Sequence, residues 1–446
     1  MSKILENTAN KVSAITNALN TECFIVGGIV RYALLGEEKG DIDLSCKLSP
    51  KEMLDRLKDF RTIPTGLQHQ TITVVNDKGN KENIEITSFR DLGMRPEGGL
   101  VLGESIEQDL SCRDFTINAL AYDINNKKVI DPHSGKKDLE NKVIRAVKDP
   151  NLRFSEDPLR IMRMLRFCSE LDFEIDAETL NAAKELYQEL KKCSIERVRE
   201  EFNKLLIGKN PEKAITLMQE IGIMELFIPE FSKCYLFEQN KFHHKDVFFH
   251  TLDVIENTKP ELKLRLSAFF HDIGKPPSLS IDDKGERHFY KHEHIGAKMT
   301  EAIMKRLKYS KKLTNEVSTL VNTHMRPTSA GKPGLRRLLR DTENVFEEWR
   351  MLKEADSLAV RDDVEVLNQE LKDFDLAIEC VKNESFESPY ANLAINGDDL
   401  IELGLKPSIL FKQILNTLHE KVLDKPELNN KKELTKIARE IANEAS

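Results

Sequence analysis

The stretch KGDIDLS, residues 39–45, restricts the fold of this chain more than any other. Asp41 and Asp43 stand two apart, with Ile42 between them and Leu44 after. In a β-strand alternate residues share a face, so the two carboxylates would lie on one side and the two apolar residues on the other. Like charges this close repel and desolvate badly unless a cation lies between them. Two arrangements satisfy that demand. One is an edge strand with a wet face; the other is a Mg²⁺ site, because hard divalent ions take carboxylate oxygens and leave positions for substrate phosphates.

The segment just upstream, FIVGGIVRYALLG (residues 24–36), favours the second. A strand is expected to enter Gly27-Gly28 and a helix to leave through Arg31. Glycine lets backbone amides approach a phosphate, and a helix N-terminus favours anions. A Gly-Gly turn alone is commonly only a turn. Combined with a cation and an acid pair, it assembles the parts that metal-assisted nucleotidyl transfer requires. Glu85, in NIEITSF, is a candidate third acid if its strand lies beside the first; otherwise it is an ordinary exposed strand residue.

With 446 residues the chain exceeds one ordinary core, and about three domains are expected. Residues 1–145 mix helices with β-rich runs, among them CFIVGGIV, HQTITVVND and NIEITSF, the last two joined by the hairpin-like NDKGNKE. Residues 146–235 read as helices, since DPLRIMRMLRFCSEL and SIERVREEFNKLL carry the 3.6 period. Residues 236–365 are histidine-rich: eight of the 11 histidines fall between positions 243 and 324. Residues 366–446 are helical and highly charged. The expected fold is thus an α+β head with a mixed or antiparallel sheet, followed by all-α regions. No apolar run approaches the roughly 20 residues of a membrane helix, and the polar start lacks a signal-peptide core. The seven scattered cysteines, without a CxxC pair, suit a reducing cytoplasm rather than a disulfide framework or zinc ribbon. A net charge of -8 argues against broad, non-specific nucleic-acid binding but permits a local basic surface.

Four segments in order, GGIVR…GDIDLS, CRDFTINALAYD (112–123), EDPLRIMRMLRF (156–167) and ERVREEF (196–202), resemble the class II tRNA nucleotidyltransferases and bacterial poly(A) polymerases. The resemblance covers the whole chain in outline and is dense over residues 20–210. It implies a head that performs chemistry, a helical neck that selects the base, and C-terminal helices that bind tRNA. By the same resemblance Asp41 and Asp43 are Mg²⁺ ligands, and Gly27, Gly28 and Arg31 contact the nucleotide. Arg113 holds the triphosphate, Asp114 and Asn118 belong to the same nucleotide-binding motif, and Asp157, Arg160, Arg163 and Arg166 form the nucleotide-binding helix. Read from the residues alone, these last four fall at steps of three, so neighbours share a helix face. An Asp157–Arg160 pair there is either a surface salt bridge or a set of donors and acceptors for a base edge. Two departures stand out. Tyr32 occupies the place where the family commonly has Asp, and Cys112 replaces an arginine. Neither removes a metal ligand, but both leave details of the triphosphate contacts open.

PTGLQHQTITV (64–74) and the segment 395–434 resemble the CCA-adding branch, with a departure at SILFK (408–412). The implied reaction is addition of C, C and A to tRNA lacking its 3′ CCA, from CTP and ATP. CC-adding, A-adding and poly(A)-forming enzymes of the same family are the alternatives.

Downstream, FFHTLDV holds His250, AFFHDIGK holds His271 and Asp272, FYKHEHIGA holds His292, VNTHMRP holds His324 and KEADSL holds Asp356. Imidazole with carboxylate suits Mn, Fe, Ni, Zn or Mg. The order resembles the HD phosphohydrolase domain. That resemblance implies one metal held by His250, His271, Asp272 and Asp356, with His292 and His324 at positions that extend the site or bind phosphate. His243, His244, His288 and His294 are expected at the surface. The alternatives are a degenerate, purely structural HD fold, and a hydrolase for which the head serves as a nucleotide sensor. A non-catalytic RNA chaperone is argued against by the intact ligand set.

Overall fold

The computed structural model describes residues 2–66, 70–75, 83–94, 100–239, 245–361, 363–384 and 393–444. His243, His244 and the link expected between HQTITVVND and NIEITSF lie outside the described residues. The chain forms two compact units, Met1–Leu226 and Phe227–Ser446.

The first unit is built on a seven-stranded sheet. Its strands are β1 (Cys23–Val26), β2 (Ile42–Cys46), β3 (Thr62–Gly66), β4 (Thr71–Val74) and β5 (Ile84–Ser88), with β8 (Ala121–Asp123) and β9 (Lys128–Ile130) further along. The order is β3-β4-β5-β2-β1-β8-β9. All neighbours are antiparallel except β2 and β5, which run parallel. A separate ribbon pairs β6 (Arg90–Met94) with β7 (Leu100–Leu102). The expected mixed sheet is therefore present, and the β4–β5 antiparallel pair is the one that a short link between HQTITVVND and NIEITSF called for.

The alternation in DIDLS is visible in the packing. Ile42 and Leu44 are buried in the core, Asp43 is half-buried and Asp41 is exposed. Asp43 pairs with Val26 on one side and with Glu85 on the other, which puts both acids on one face of adjacent strands. Gly27 follows β1 with φ 77°. A Cβ there would also come within 3.0 Å of Asp43 Oδ2, so both backbone and space demand glycine.

Helices carry the rest of this unit. Leu159–Leu171 buries Ile161, Met162, Met164, Leu165 and Cys168, the face that the 3.6 period marked out. Ile195–Leu206 packs against it and buries Val198, Phe202 and Leu205. Pro211–Ile221 begins with an Asn210 cap and a proline in its first turn, and it ends at Gly222 with φ 96°. A two-residue parallel pair, Val143–Ile144 with Glu174–Ile175, lies within this helical stretch.

Among its described residues the second unit is helical apart from a short hairpin, Leu279–Ile281 with Arg287–Phe289. Helices Val247–Glu256, Leu262–Phe270, His292–Arg306, Lys311–Thr323 and Phe346–Leu358 enclose the histidine-rich core. At its C-terminal end Gly397–Glu402, Ile409–Asp424 and Lys431–Glu444 form a smaller cluster around Leu400, Ile414, Leu418, Leu434 and Ala438.

Candidate active site

A cavity of about 560 Å³ opens in the first unit. Gly27, Gly28, Arg31, Asp41, Asp43, Arg113, Asp114, Asn118, Asp157, Arg160, Arg163 and Arg166 all line it. Four separate segments of sequence thus reach one space. Glu85 is exposed and stands beside Asp43 in the β2–β5 register, but it is not among the lining residues.

Asp43 is pushed up to about 6, first by its burial. Arg113 opposes that shift, while Glu85 and Asp41 add to it. A carboxyl with two acidic neighbours is short of positive charge, and the donors are all hard oxygens, so the set fits a hard divalent cation.

The cationic side of the cavity is held by buried carboxylates. Asp109, fully buried, accepts from Arg113 Nη2 at 2.9 Å and from Arg90 Nε at 3.2 Å. Arg31 donates to Asn118 Oδ1, and Asn118 Nδ2 donates to Asp114 Oδ1 at 3.0 Å. Asp114 Oδ1 also accepts from the Phe115 amide at 2.8 Å, and Oδ2 accepts from Arg163 Nε and Nη2 at 2.8 and 2.6 Å. Burial would raise the Asp114 carboxyl, but Arg163 and Asn118 outweigh it and hold the group well below the usual carboxylate range. Arg31 Nε and Arg113 Nε are buried without a hydrogen-bond partner among the described residues. The Arg31 and Arg113 side chains line the cavity, and guanidinium groups there suit an anion.

The helix expected to bind the nucleotide departs from expectation at one point. Asp157 lies outside the helix Leu159–Leu171, with φ −143° and ψ 97°. It precedes Pro158, and a residue before proline is pushed out of the helical region. Asp157 accepts from Arg197 Nη2 at 3.0 Å, and it makes no side-chain pair with Arg160 among the bonds of the described residues. Arg160 instead reaches Glu156 Oε2 at 3.0 Å and the Cys112 carbonyl at 3.0 Å. Arg166 Nε lies 3.0 Å from Glu201 Oε2.

Both departures noted in the sequence take defined places. The Tyr32 ring stands 4.6 Å from the Arg31 guanidinium carbon and 5.0 Å from Lys39 Nζ, with its hydroxyl on Glu170. It confines Arg31 by ring contact where a carboxylate would do so by charge. Cys112 lines the cavity, and Arg90, reaching in from β6, brings a guanidinium to the same wall. Sequence reading missed Asp109, Glu156, Arg197 and Glu201. Nothing local in the sequence marks any of them, and only the fold reveals each partner.

In the second unit all six expected ligands come together. His250, His271 and Asp356 form one set, and Asp272, His292 and His324 another. His271 Nε2 lies 3.1 Å from Asp272 Oδ2, and His292 Nε2 lies 3.2 Å from Asp272 Oδ1. Burial would raise the Asp272 carboxyl, but His271 and Lys275 outweigh it and keep it ionised far below the usual range. Buried imidazole and carboxylate in this number suit a divalent metal. His288 and His294 lie apart from these sets; His294 is exposed and His288 is half-buried, on Asp282 at 3.0 Å.

Residues 23–145 match the Poly A polymerase head domain, 172–234 the probable RNA and SrmB-binding site of polymerase A, and 247–361 the HD domain. The A-adding tRNA nucleotidyltransferase of Deinococcus radiodurans is 32% identical over 334 residues, 72% of this chain and 76% of that protein. The CCA-adding enzyme of Ligilactobacillus salivarius is 31% identical over 434 residues, 95% of this chain and 93% of that one. In fold, the Bacillus stearothermophilus CCA-adding enzyme, solved in complex with CTP, superposes with a TM-score of 0.73 at 23% identity, covering 98% of both chains. No helix among the described residues is long and apolar enough to cross a membrane. The chain belongs to the class II tRNA nucleotidyltransferase family, the CCA-adding enzymes and their poly(A) polymerase relatives, in a form that carries an HD domain.

Proposed function

We propose that this protein is a cytoplasmic enzyme that adds C, C and A to the 3′ end of tRNA, using CTP and ATP. One observation carries the reading: the acid pair, the glycine turn, the Arg113 motif and the Arg160–Arg166 helix all line a single cavity. In this reading Asp41, Asp43 and Glu85 would hold Mg²⁺, which would supply Lewis acidity toward an attacking 3′-hydroxyl and positive charge toward the triphosphate. Arg113, fixed by Asp109, and Arg31, fixed by Asn118, line the cavity and receive the triphosphate. Gly27 and Gly28 leave room for the phosphates to approach the backbone. Asp157 and Arg160, each oriented by a second residue, present an acceptor and donors to the base edge. Arg163 and Arg166 are held behind them by Asp114 and Glu201.

The division of labour proposed is head 1–145 for chemistry, neck 146–235 for base choice, 236–365 as the HD domain and 366–446 for tRNA. Lys431, Lys432, Lys436 and Arg439 along the last helix support the tRNA assignment, since phosphate contacts come mainly from such side chains. The HD domain is proposed as an accessory phosphohydrolase with a divalent transition metal (Ni, Mn, Fe or Zn) or Mg²⁺. The A-adding relative favours a second reading, addition of the terminal A alone. The test is direct. Asp41→Ala and Asp43→Ala should abolish incorporation of labelled CTP while tRNA retention on filters stays near wild type. Incorporation at the wild-type rate by both variants would refute the assignment.

A further inference from the structure

Cys23 and Cys46 stand directly opposite each other on β1 and β2, as Cα partners of one antiparallel pair. Both are buried free thiols, 4% and 0% exposed. The nucleotidyl-transfer chemistry proposed above uses neither. Opposed residues in such a pair have Cα atoms about 4.5–5.5 Å apart, inside the roughly 4.4–6.8 Å that a disulfide spans. The Cys23 thiol, hydrogen-bonded to Cys46, holds the Cys46 thiol below its ordinary range; burial opposes this, and the Leu48 amide and Arg56 add to it. The two sulfurs therefore share a proton on ionisation, and a thiolate is available to either. A cavity of about 340 Å³ reaches Cys23 and is lined also by Thr16, Asn17, Asn20 and Asn125. Its polar wall admits a small neutral oxidant such as hydrogen peroxide.

We propose that Cys23 and Cys46 form a reversible modification site, which peroxide closes to a cross-strand disulfide and which thereby slows nucleotide addition. The effect on addition rests on the function proposed above; the disulfide does not. The Cys23 thiolate attacks one peroxide oxygen, the O–O bond breaks and hydroxide leaves, giving a sulfenic acid. The Cys46 sulfur then attacks Cys23 Sγ, the S–O bond breaks and a second hydroxide leaves. The two thiol protons end in two waters, and the two electrons lost by sulfur reduce the peroxide. Three residues along, the same ladder pairs Val26 with Asp43, about 10 Å away. The thiols lie on the face away from Asp43, so the bond acts through the backbone. Opposed residues keep their Cβ atoms about 4.5–5.5 Å apart and a disulfide holds them near 3.8 Å, so closure draws the strands together by roughly 1 Å. The site has little slack for such a shift, since a Cβ at Gly27 would already come within 3.0 Å of Asp43 Oδ2. Misplacement by about 1 Å at reacting groups can cost about 100-fold, and a partly damped shift about 10-fold.

The test uses reduced, desalted full-length protein treated with hydrogen peroxide. Trypsin digestion without reductant should join the peptides Val12–Arg31 and Gly40–Lys47, with the loss of two hydrogens by mass. Incorporation of labelled CTP into tRNA lacking its CCA should fall about 10-fold on treatment and recover with dithiothreitol. Cys23→Ala and Cys46→Ala should each keep their untreated rates under the same peroxide. Absence of the joined peptides would overturn the proposal, as would their formation with no fall in incorporation, or an equal fall in both variants. If the untreated protein adds no nucleotide, the proposed function fails, and the joined peptides alone still decide whether the pair closes. That mapping is done on the wild-type chain, so it holds even if the variants misfold.

Discussion

Asp114→Asn should cost the first unit about 3 kcal/mol. Asp114 is 7% exposed and accepts four hydrogen bonds, two of them from Arg163. An amide of the same shape keeps one oxygen. Either orientation then turns its NH₂ toward a donor, Arg163 on one side or Phe115 and Asn118 on the other. Hydrogen bonds to a charged group contribute roughly 1.5–3 kcal/mol each, and breaking a buried pair costs about 3–5 kcal/mol. Arg163 is 33% exposed and regains some hydration, which places the expected loss near the lower end. For a unit of this size, Met1–Leu226, each kcal/mol lowers Tm by about 2–4 °C, so a fall of roughly 6–12 °C is expected by calorimetry. The acid dependence gives a second readout. The folded protein keeps Asp114 ionised where the unfolded chain takes up a proton. Its contribution is therefore present above the unfolded value of about 3.9 and is lost as pH falls below it. The variant should lack that loss. A change within about 0.5 kcal/mol, with an unaltered acid limb, would refute the view that Asp114 anchors the arginine wall.

Asp157→Ala, Arg160→Ala and Arg197→Ala should each relax discrimination among CTP, ATP, UTP and GTP by roughly 1–3 kcal/mol per lost contact, with tRNA affinity nearly unchanged; competition assays with mixed nucleotides measure it. Glu85→Ala should lower incorporation by less than Asp43→Ala, because Glu85 neighbours Asp43 without lining the cavity; steady-state rates at several Mg²⁺ concentrations check it. His271→Ala with Asp272→Ala should remove phosphodiesterase activity on a 2′,3′-cyclic nucleotide, assayed with Ni²⁺, Mn²⁺ and Mg²⁺, while nucleotide addition to tRNA continues near the wild-type rate. Loss of addition by a folded double variant would contradict the separation of the two sites.

Local pattern was legible where it reported local physics. Ile42 and Leu44 announced a strand with one buried face, and the period in Leu159–Leu171 announced the buried stripe that the helix presents. Asp157 was misread because spacing at three suggested one continuous helix, when Pro158 had already excluded its preceding residue. Partners far apart in sequence were not legible at all. Asp109 is joined to Arg90, Glu201 to Arg166 and Arg197 to Asp157 only once strands and helices pack. The histidines could be counted in the sequence, but which of them converge on Asp272 depends on how the helices that carry them pack.

The central claim is the product. Purified protein is incubated with tRNA ending before the CCA, together with CTP, ATP or both, and the 3′ ends are sequenced. The account predicts addition of CC with CTP alone and of CCA with both nucleotides, with growth stopping there. A single A added only to tRNA already ending in CC, or a long A tail, would contradict it.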